Sequence, residues 1–330
     1  MSHIEVVGAQ IDTRHFIGGQ RVASSETFTN TSPIDGTFLG EISSAGEAEV
    51  NQAVAAAKAA FPGWWKLGPK GRGELLHKLA DLVEANIETL AQLETLDNGS
   101  LLRSHRRGVM PRVAMNIRFF ADYAINDLKH DDLETRGHTN KISWDPSGVA
   151  AIITPWNAPL MLATWRIGPA LAAGDTVVLK PAEWTPLSAS FFADLTKQAG
   201  IPDGVFNVIQ GFGRTAGAAL TAHKDIARIA FTGSVPTAKI IAKAAAENLT
   251  PTSFELGGKS PLVVFGDCDL DLAVDLAVEQ YDNAGQVCLS GTRLLVHESI
   301  ADAFAEKFRQ KAATIQQGDP REESTAIGPQ

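Results

Sequence analysis

The sequence has few cysteines, no long uncharged apolar run and no excess of positive charge, and each deficit excludes a class of protein. Neither of the two cysteines, Cys268 and Cys288, has a second cysteine or a histidine at metal-ligand spacing, which argues against a disulfide scaffold and a zinc site. The net charge of -9 disfavours nucleic acid as a partner, because phosphate binding requires a basic face. We therefore expect no metal and no nucleic acid.

The apolar runs are too short and too interrupted for a membrane protein. The most apolar region, residues 158–174, contains Arg166 and is broken by glycine and proline. The first residues lack the apolar core of a secretory signal, and the low cysteine content fits a reducing compartment. The sequence thus predicts a cytoplasmic globular protein without a membrane partner.

The first third of the chain is predicted to be mainly helical. Residues 15–22 are typical of a short hairpin turning at Gly18-Gly19, where positive φ costs little. Ser44 and Glu47 have the spacing of a capping box, and the helix that they open is expected to end at Pro62-Gly63. Further helices are predicted at residues 72–96, stopped by Asn98-Gly99, and at residues 109–123.

After a polar excursion at residues 129–144, short apolar strands alternate with helices. Strands are predicted at residues 149–153, 176–180, 206–209, 228–231, 262–265 and 293–297. Helices are predicted at residues 160–173, 188–199, 216–223 and 270–283. This alternation indicates an α/β fold with a parallel sheet, whose ligands bind beyond the carboxyl ends of the strands.

Unusual residues follow the first, second and fourth of these predicted strands, and residues 154–157 follow the first. Gly233-Ser234, opening a helix after the fourth strand, offers free N–H groups for a pyrophosphate. Lys180 and Glu183 follow the second strand, where they form either a solvated loop pair or a ribose site at which a carboxylate favours NAD over NADP. Gly213 belongs to an imperfect dinucleotide fingerprint, whose third glycine, Gly217, comes one residue late.

Cys288 lies among small and polar residues just before a predicted strand. Such a thiol is either a nucleophile, reacting as its thiolate, or a small buried hydrophobe. Glu255, beside Gly257-Gly258, is either a general base or the surface end of a strand. Cys268 stands between Asp267 and Asp269, which disfavour its thiolate, so a structural role is expected.

Five segments, in this order, resemble the signature segments of the NAD(P)-dependent aldehyde dehydrogenase superfamily: TPWNAPL, KPAEWTP, FTGS, FELGGKSP and GQVCLSGTR. The resemblance covers almost the whole chain. It implies an α/β fold with a modified Rossmann cofactor domain and a second α/β catalytic domain. The implied domains are an NAD-binding domain at residues 1–125 and 147–256, an oligomerisation excursion at residues 126–146 and an incomplete catalytic domain at residues 257–330.

The resemblance also implies the roles of individual residues. Cys288 matches the nucleophile, Glu255 the general base and Asn157 the side-chain donor of the oxyanion hole. Lys180 and Glu183 match residues that hold the adenosine ribose of NAD, and Ser234 matches one near the pyrophosphate. The other matching cofactor positions are Thr154, Pro155, Trp156, Gly213, Phe231, Gly233, Leu256 and Gly257.

Residues 163–217 further resemble 5-carboxymethyl-2-hydroxymuconate semialdehyde dehydrogenases and related enzymes of aromatic breakdown. A semialdehyde that carries carboxylates requires a cation, and Arg112 or Arg118 on the third helix is the candidate. The alternative is that both arginines only solvate that helix.

Against the family pattern, the sequence ends inside the catalytic domain at Gln330. The resemblance therefore implies that the last third is absent, including a Glu-X-Phe-Gly-Pro segment that positions the nicotinamide, either in a fragment or in a naturally short chain. A homodimer or homotetramer is implied if the C-terminus is complete. Two other interpretations remain open: a cysteine hydrolase or thioesterase, disfavoured because the five segments contain no histidine, and a non-catalytic protein that keeps the fold.

Overall fold

A computed structural model describes residues 3–6, 8–128 and 131–329, and the chain opens with three antiparallel strand pairs. The strands are β1 (His3–Val6), β2 (Ala9–Asp12), β3 (His15–Ile17), β4 (Gln20–Val22), β5 (Thr27–Thr31) and β6 (Phe38–Ser43). The turn between β3 and β4 holds Gly18 and Gly19 at φ values of 58° and 75°, which confirms the predicted hairpin.

A helical layer follows these strands. Its helices are α1 (Glu47–Lys66), α2 (Gly68–Ala85), α3 (Ile87–Asn98), α4 (Leu102–Ser104) and α5 (Met110–Asn126), with a π-helical turn at His105–Val109. Gly99 ends α3 in the left-handed conformation at φ 73°, as the sequence predicts. The predicted third helix corresponds to α5.

Two helix starts differ from the sequence predictions. The capping box of α1 is not formed by Ser44 and Glu47, because the Gly46 N–H donates to the Glu49 carboxylate at 2.8 Å. The predicted helix 72–96 is two helices, broken at Asn86. The Asn86 side chain donates to a carbonyl one turn earlier and so closes α2.

The end of α1 also differs, because Pro62-Gly63 does not stop the helix. The helix continues to Lys66 with Pro62 inside it. Trp64 explains the continuation, since its ring is fully buried and its Nε1 donates to the Leu171 carbonyl at 3.0 Å. Burial of a tryptophan outweighs the hydrogen bond lost at proline.

The polar excursion forms a solvent-exposed hairpin. Its strands are β7 (Asp131–Thr135) and β8 (His138–Ile142), and every residue of both is exposed. Lys129, the first residue of the predicted excursion, lies outside the described residues. The hairpin's role in oligomerisation stays a prediction.

A seven-stranded sheet forms the centre of the fold. Its remaining strands are β9 (Val149–Ile153), β10 (Thr176–Lys180), β11 (Phe206–Val208), β12 (Arg228–Gly233) and β13 (Thr252–Leu256). The order is β13-β12-β9-β10-β11-β3-β4, and the first five strands are parallel. Helices cover it: α6 (Pro159–Ala173), α7 (Leu187–Gln198), α8 (Ala218–Ala222) and α9 (Val235–Glu247), with a π-helical turn at Gly213–Gly217. The predicted α/β fold is confirmed.

Alternate side chains of the central strands enter two separate cores. Ile152 and Leu179 pack with α2, α5, α6 and α7 on one face, whereas Ala151 and Val178 pack with α1, α8 and α9 on the other. No bounds were predicted for strand β13 from the sequence, although a strand ending near Glu255 was one of the two alternatives for that residue. It pairs with β12 and places Glu255 opposite Thr232.

The last part of the described chain has its own small apolar cluster. Strands β14 (Pro261–Val264) and β15 (Arg293–Val296) pair in parallel, and the helices are α10 (Leu270–Val278) and α11 (Ala301–Ala312). Short 3-10 segments lie at Glu279–Gly285 and Glu298–Ile300, so the predicted helix 270–283 stops early as an α-helix. The cluster contains Val264, Val274, Ala277 and Phe304.

Two buried carboxylates on α3 connect the helical layer to the sheet. Glu94 accepts hydrogen bonds from the Leu160 N–H at 2.7 Å and the Ser188 hydroxyl at 3.0 Å. Asp97 accepts the Leu187 N–H at 2.9 Å. These N–H groups belong to the first turns of α6 and α7, where helix dipoles favour negative charge. Burial nevertheless raises the pKa of Glu94 to about 7.

Glu94→Gln is expected to stabilise the fold at pH 8 by about 3 kcal/mol. The folded pKa of about 7 exceeds the ordinary 4.5, so wild-type stability falls as pH rises between these values, whereas a neutral amide avoids this loss. Chemical denaturation from pH 4.5 to 8 measures the difference. The exposed Glu88, whose pKa Arg106 lowers, gives the matched control Glu88→Gln, which should not stabilise at pH 8. Equal effects of Glu94→Gln at the two ends of this pH range would contradict the expectation.

Candidate active site

Most predicted site residues lie at the carboxyl edge of the central sheet. Residues 154–157 follow β9, residues 180–183 follow β10, and Ser234 opens α9 after β12. Because these strands are parallel, their ends lie at the same edge. The Thr154 N–H donates to the Lys180 carbonyl at 3.2 Å and joins the first two loops.

Cys288 and Asn157 line the same cavity, of about 290 Å³. Cys288 is exposed, so the alternative of a small buried hydrophobe is wrong. The Asn157 Nδ2 donates to the carbonyl of Gln286 at 2.7 Å. This bond fixes the amide against residues 286–292, the cysteine loop, which contains Cys288. An amide has two N–H groups, so one remains for an oxygen atom bound beside the thiol. Cys268 is exposed too, before α10.

Glu255 lies at the edge of the sheet and does not line the cavity of Cys288. Its carboxylate is 63% exposed and lies 3.2 Å from the Arg166 guanidinium, which also donates to the Ser253 hydroxyl. Sequence reasoning missed this pairing. The available signal was an arginine inside the most apolar run of the chain, where a charge needs a partner.

Lys180 and Glu183 form a largely buried pair, not a solvated one. The Lys180 side chain is 3% exposed, and its Nζ donates to the Pro181 carbonyl at 2.9 Å and to Glu183 Oε2 at 3.3 Å. Burial lowers the pKa of Lys180. Glu183 and Trp156 line a second cavity, of about 550 Å³. The pair is therefore a fixed polar group at the edge of an open space.

The loop after β12 leads into the N-terminus of α9, at the same edge of the sheet. Ser234 is the N-cap of α9, and its Oγ accepts the Thr237 N–H at 3.4 Å. The backbone at Gly233 lies close to the buried Phe231 ring, and an added β-carbon there would lie 2.5 Å from that ring. Leu256 is the last residue of β13, where it pairs with Gly233 of β12, and it precedes Gly257.

Other predicted cofactor residues have different surroundings. Thr154 is 4% exposed and Pro155 half-buried. Gly213 begins the π-helical turn after β11, which replaces the ordinary dinucleotide fingerprint there. An added β-carbon on Gly213 would meet no atom within 4 Å, so the backbone is open on that side.

The two candidate arginines have different positions. Arg112 lines the Cys288 cavity and an adjoining one of about 590 Å³, and among the described residues it makes no ion pair. Arg118 bonds to Glu84 at 3.0 Å and also to Asp81 on the outer surface. Arg118 is therefore not a residue of this cavity, and its side chain fits the alternative of a solvated helix.

His105 is a cavity residue that sequence reasoning missed. It begins the π-helical turn and lines the Cys288 cavity, although its side chain is only 2% exposed. Burial lowers its pKa to about 4, so the imidazole is neutral at pH 7. Both ring nitrogens are shut from solvent, and Nδ1 lies 3.5 Å from the Glu94 carboxylate. This geometry does not offer a general base to the thiol.

Comparisons of the sequence with known proteins all indicate the same family. A sequence model of the aldehyde dehydrogenase family matches residues 21–330. The chain is 44% identical over 321 residues to an aldehyde dehydrogenase of Emericella nidulans, covering 96% of this chain and 64% of the relative. It is 40% identical over 324 residues to the 5-carboxymethyl-2-hydroxymuconate semialdehyde dehydrogenase of Escherichia coli, covering 95% of this chain and 67% of that enzyme.

A solved structure gives the same result in three dimensions. PnpE from Pseudomonas sp. WBC-3, in complex with nicotinamide adenine dinucleotide, superposes with a TM-score of 0.93 at 43% identity. The match covers 96% of this chain and 66% of PnpE. The chain thus spans about two thirds of the length of these relatives, and slightly less of the first. No helix within residues 3–6, 8–128 and 131–329 is long and apolar enough to cross a membrane.

Proposed function

Because the chain belongs to the aldehyde dehydrogenase family, we propose that it takes part in the oxidation of an aldehyde to a carboxylic acid with a nicotinamide cofactor. The observation that carries the proposal is the shared cavity of Cys288 and Asn157, which is lined by an exposed cysteine and by a residue with an amide donor. The buried His105 gives the cysteine hydrolase alternative no accessible base.

In the proposed reaction, the Cys288 thiolate adds to the aldehyde carbon and forms a thiohemiacetal. The free N–H of the Asn157 amide and the backbone N–H of Cys288 donate to the oxyanion. Loss of hydride from the thiohemiacetal carbon, for which a bound nicotinamide would supply the acceptor, leaves the thioester of Cys288. Glu255 then takes a proton from the water that attacks the thioester, which releases the acid and restores the thiol.

The residues at the sheet edge fit NAD. Glu183 offers a carboxylate for ribose hydroxyls, and Lys180 is held beside it by the Pro181 carbonyl. The N-terminus of α9 at Ser234 offers a favourable helix dipole for the pyrophosphate. We further propose cytoplasmic location and a homodimer or homotetramer in the complete protein; two unpaired cysteines and the exposed β7–β8 hairpin support these assignments.

The test of the reaction is NADH formation at 340 nm with neutral and carboxylated aldehydes. Wild type is expected to form NADH, whereas Cys288→Ala should lose at least about 10³-fold in kcat, because no other group supplies the nucleophile. Cys268→Ser is the matched control and should keep its rate. NADH formation that survives Cys288→Ala would contradict the proposed nucleophile.

Cofactor choice is expected to depend on Glu183. Replacing its carboxylate by an amide in Glu183→Gln removes repulsion of a 2′-phosphate, and the ratio of Kd values for NADPH and NADH should fall about tenfold. Binding of the two reduced cofactors, followed by their fluorescence, measures the ratio without turnover. An unchanged ratio would show that Glu183 does not discriminate.

A carboxylated aldehyde is the proposed substrate class, supported by Arg112, which lines the cavity without an ion-pair partner among the described residues, and by the name of the Escherichia coli relative. Arg112→Gln should raise KM for carboxylated aldehydes by about 10- to 100-fold through loss of a charge-assisted hydrogen bond. KM for neutral aldehydes should change little. Arg118→Gln, on the outer surface, is the control. Equal losses on both substrate types would argue against carboxylate recognition by Arg112.

A further inference from the structure

Three consecutive residues just before the cysteine loop have left-handed backbone. The φ values of Asn283, Ala284 and Gly285 are 49°, 57° and 73°. Glycine adopts such values freely, asparagine less so and alanine rarely. A left-handed run at non-glycine residues persists only where surrounding contacts fix it.

The side chain of Asn283 supplies such contacts. Its Nδ2 donates to the Asn157 carbonyl at 3.1 Å, and its Oδ1 accepts the Ser100 hydroxyl at 2.7 Å. The Asn283 carbonyl accepts the Gln286 N–H at 3.0 Å. One side chain therefore joins the segment after α3, the loop after β9 and the cysteine loop.

The end of α3 also holds the chain after β9, on both sides of Asn157. Asn98 Nδ2 donates to the Trp156 carbonyl at 3.2 Å, one residue before Asn157. Glu94 accepts the Leu160 N–H at 2.7 Å, three residues after it. The backbone on both sides of Asn157 is thus anchored to residues 94–100. The sequence indicated only a helix stop in that segment.

We propose that Asn283 is a positioning residue for the Asn157 amide, and that Ser100 in turn positions Asn283. The inference rests on the proposed role of Asn157 as oxyanion donor. An amide that must meet a developing negative charge is effective only when its position is fixed beforehand. Asn283 fixes it relative to the cysteine loop, and residues 94–100 fix it relative to the sheet.

Asn283→Gly tests this role separately from folding. Glycine relieves the left-handed backbone, so global stability should be unchanged or increased, while both side-chain bonds are lost. Backbone hydrogen exchange in a peptide spanning residues 154–162 should become about tenfold faster, and Ser100→Ala should act in the same direction. Leu249→Gly is the matched control, because Leu249 also has positive φ, at 53°, and is 88% exposed far along the chain from this loop.

Catalysis gives the second measurement. Hydrolysis of p-nitrophenyl acetate requires the thiol and the oxyanion donor but no hydride acceptor. Asn283→Gly should lower its kcat about tenfold with little change in KM, and Ser100→Thr should recover part of the loss in Ser100→Ala. A combined Ser100→Ala, Asn283→Gly variant should lose no more than Asn283→Gly alone, since both act through one contact.

The two measurements separate this inference from the proposed function. Unchanged exchange at residues 154–162 in Asn283→Gly overturns the inference, whatever the chain catalyses. Faster exchange with unchanged ester hydrolysis by an active wild type also overturns it, because the loop would then move without consequence for the amide. A wild type that forms no NADH overturns the proposed function alone, and the exchange result still decides the role of Asn283.

Discussion

The carboxylates of Glu94 and Asp97 are the constraint on which the arrangement of the site depends. Removing a carboxylate from water costs free energy, and only strong donors offset that cost. Here the donors are the first N–H groups of α6 and α7, which lack partners within their own helices. Each bond therefore satisfies two groups that would otherwise be buried without partners. Together they fix α3 against the sheet, and with α3 the loop that contains Asn157.

Two kinds of element were predicted correctly from the sequence: turns that depend on local conformation, and strands that are buried on both faces. Strands 149–153 and 176–180 have the predicted bounds, because each has a continuous apolar stretch and all of its residues are buried. The hairpin at Gly18-Gly19 was predictable because its cause is local: both glycines adopt positive φ. The continuation of α1 past Pro62 has a distant cause, the burial of Trp64, which no local pattern contains.

The candidate site shows the same division. Cys288 and Asn157 were predicted as site residues from the resemblance of their segments to a known family, whereas His105 lies in the cavity wall through helix packing alone. Helix geometry also explains the difference between the arginines. Six residues separate Arg112 from Arg118, which puts their side chains about 120° apart around α5. When one lines the cavity, the other points to the outer surface, where Asp81 and Glu84 meet it.

The position of Glu255 bears on how the two halves of the proposed cycle are separated. In the position that the structure gives it, beside Arg166 and outside the cavity, Glu255 cannot serve as the proposed base for water next to a thioester of Cys288. It must rotate away, and its 63% exposure makes this inexpensive, because an ion pair in water contributes only about 0 to 1 kcal/mol. In the proposed cycle, water activation therefore requires a movement of the Glu255 side chain. During the proposed thiol addition, Arg166 holds the Glu255 carboxylate away from the Cys288 thiolate, because the two negative charges would repel each other.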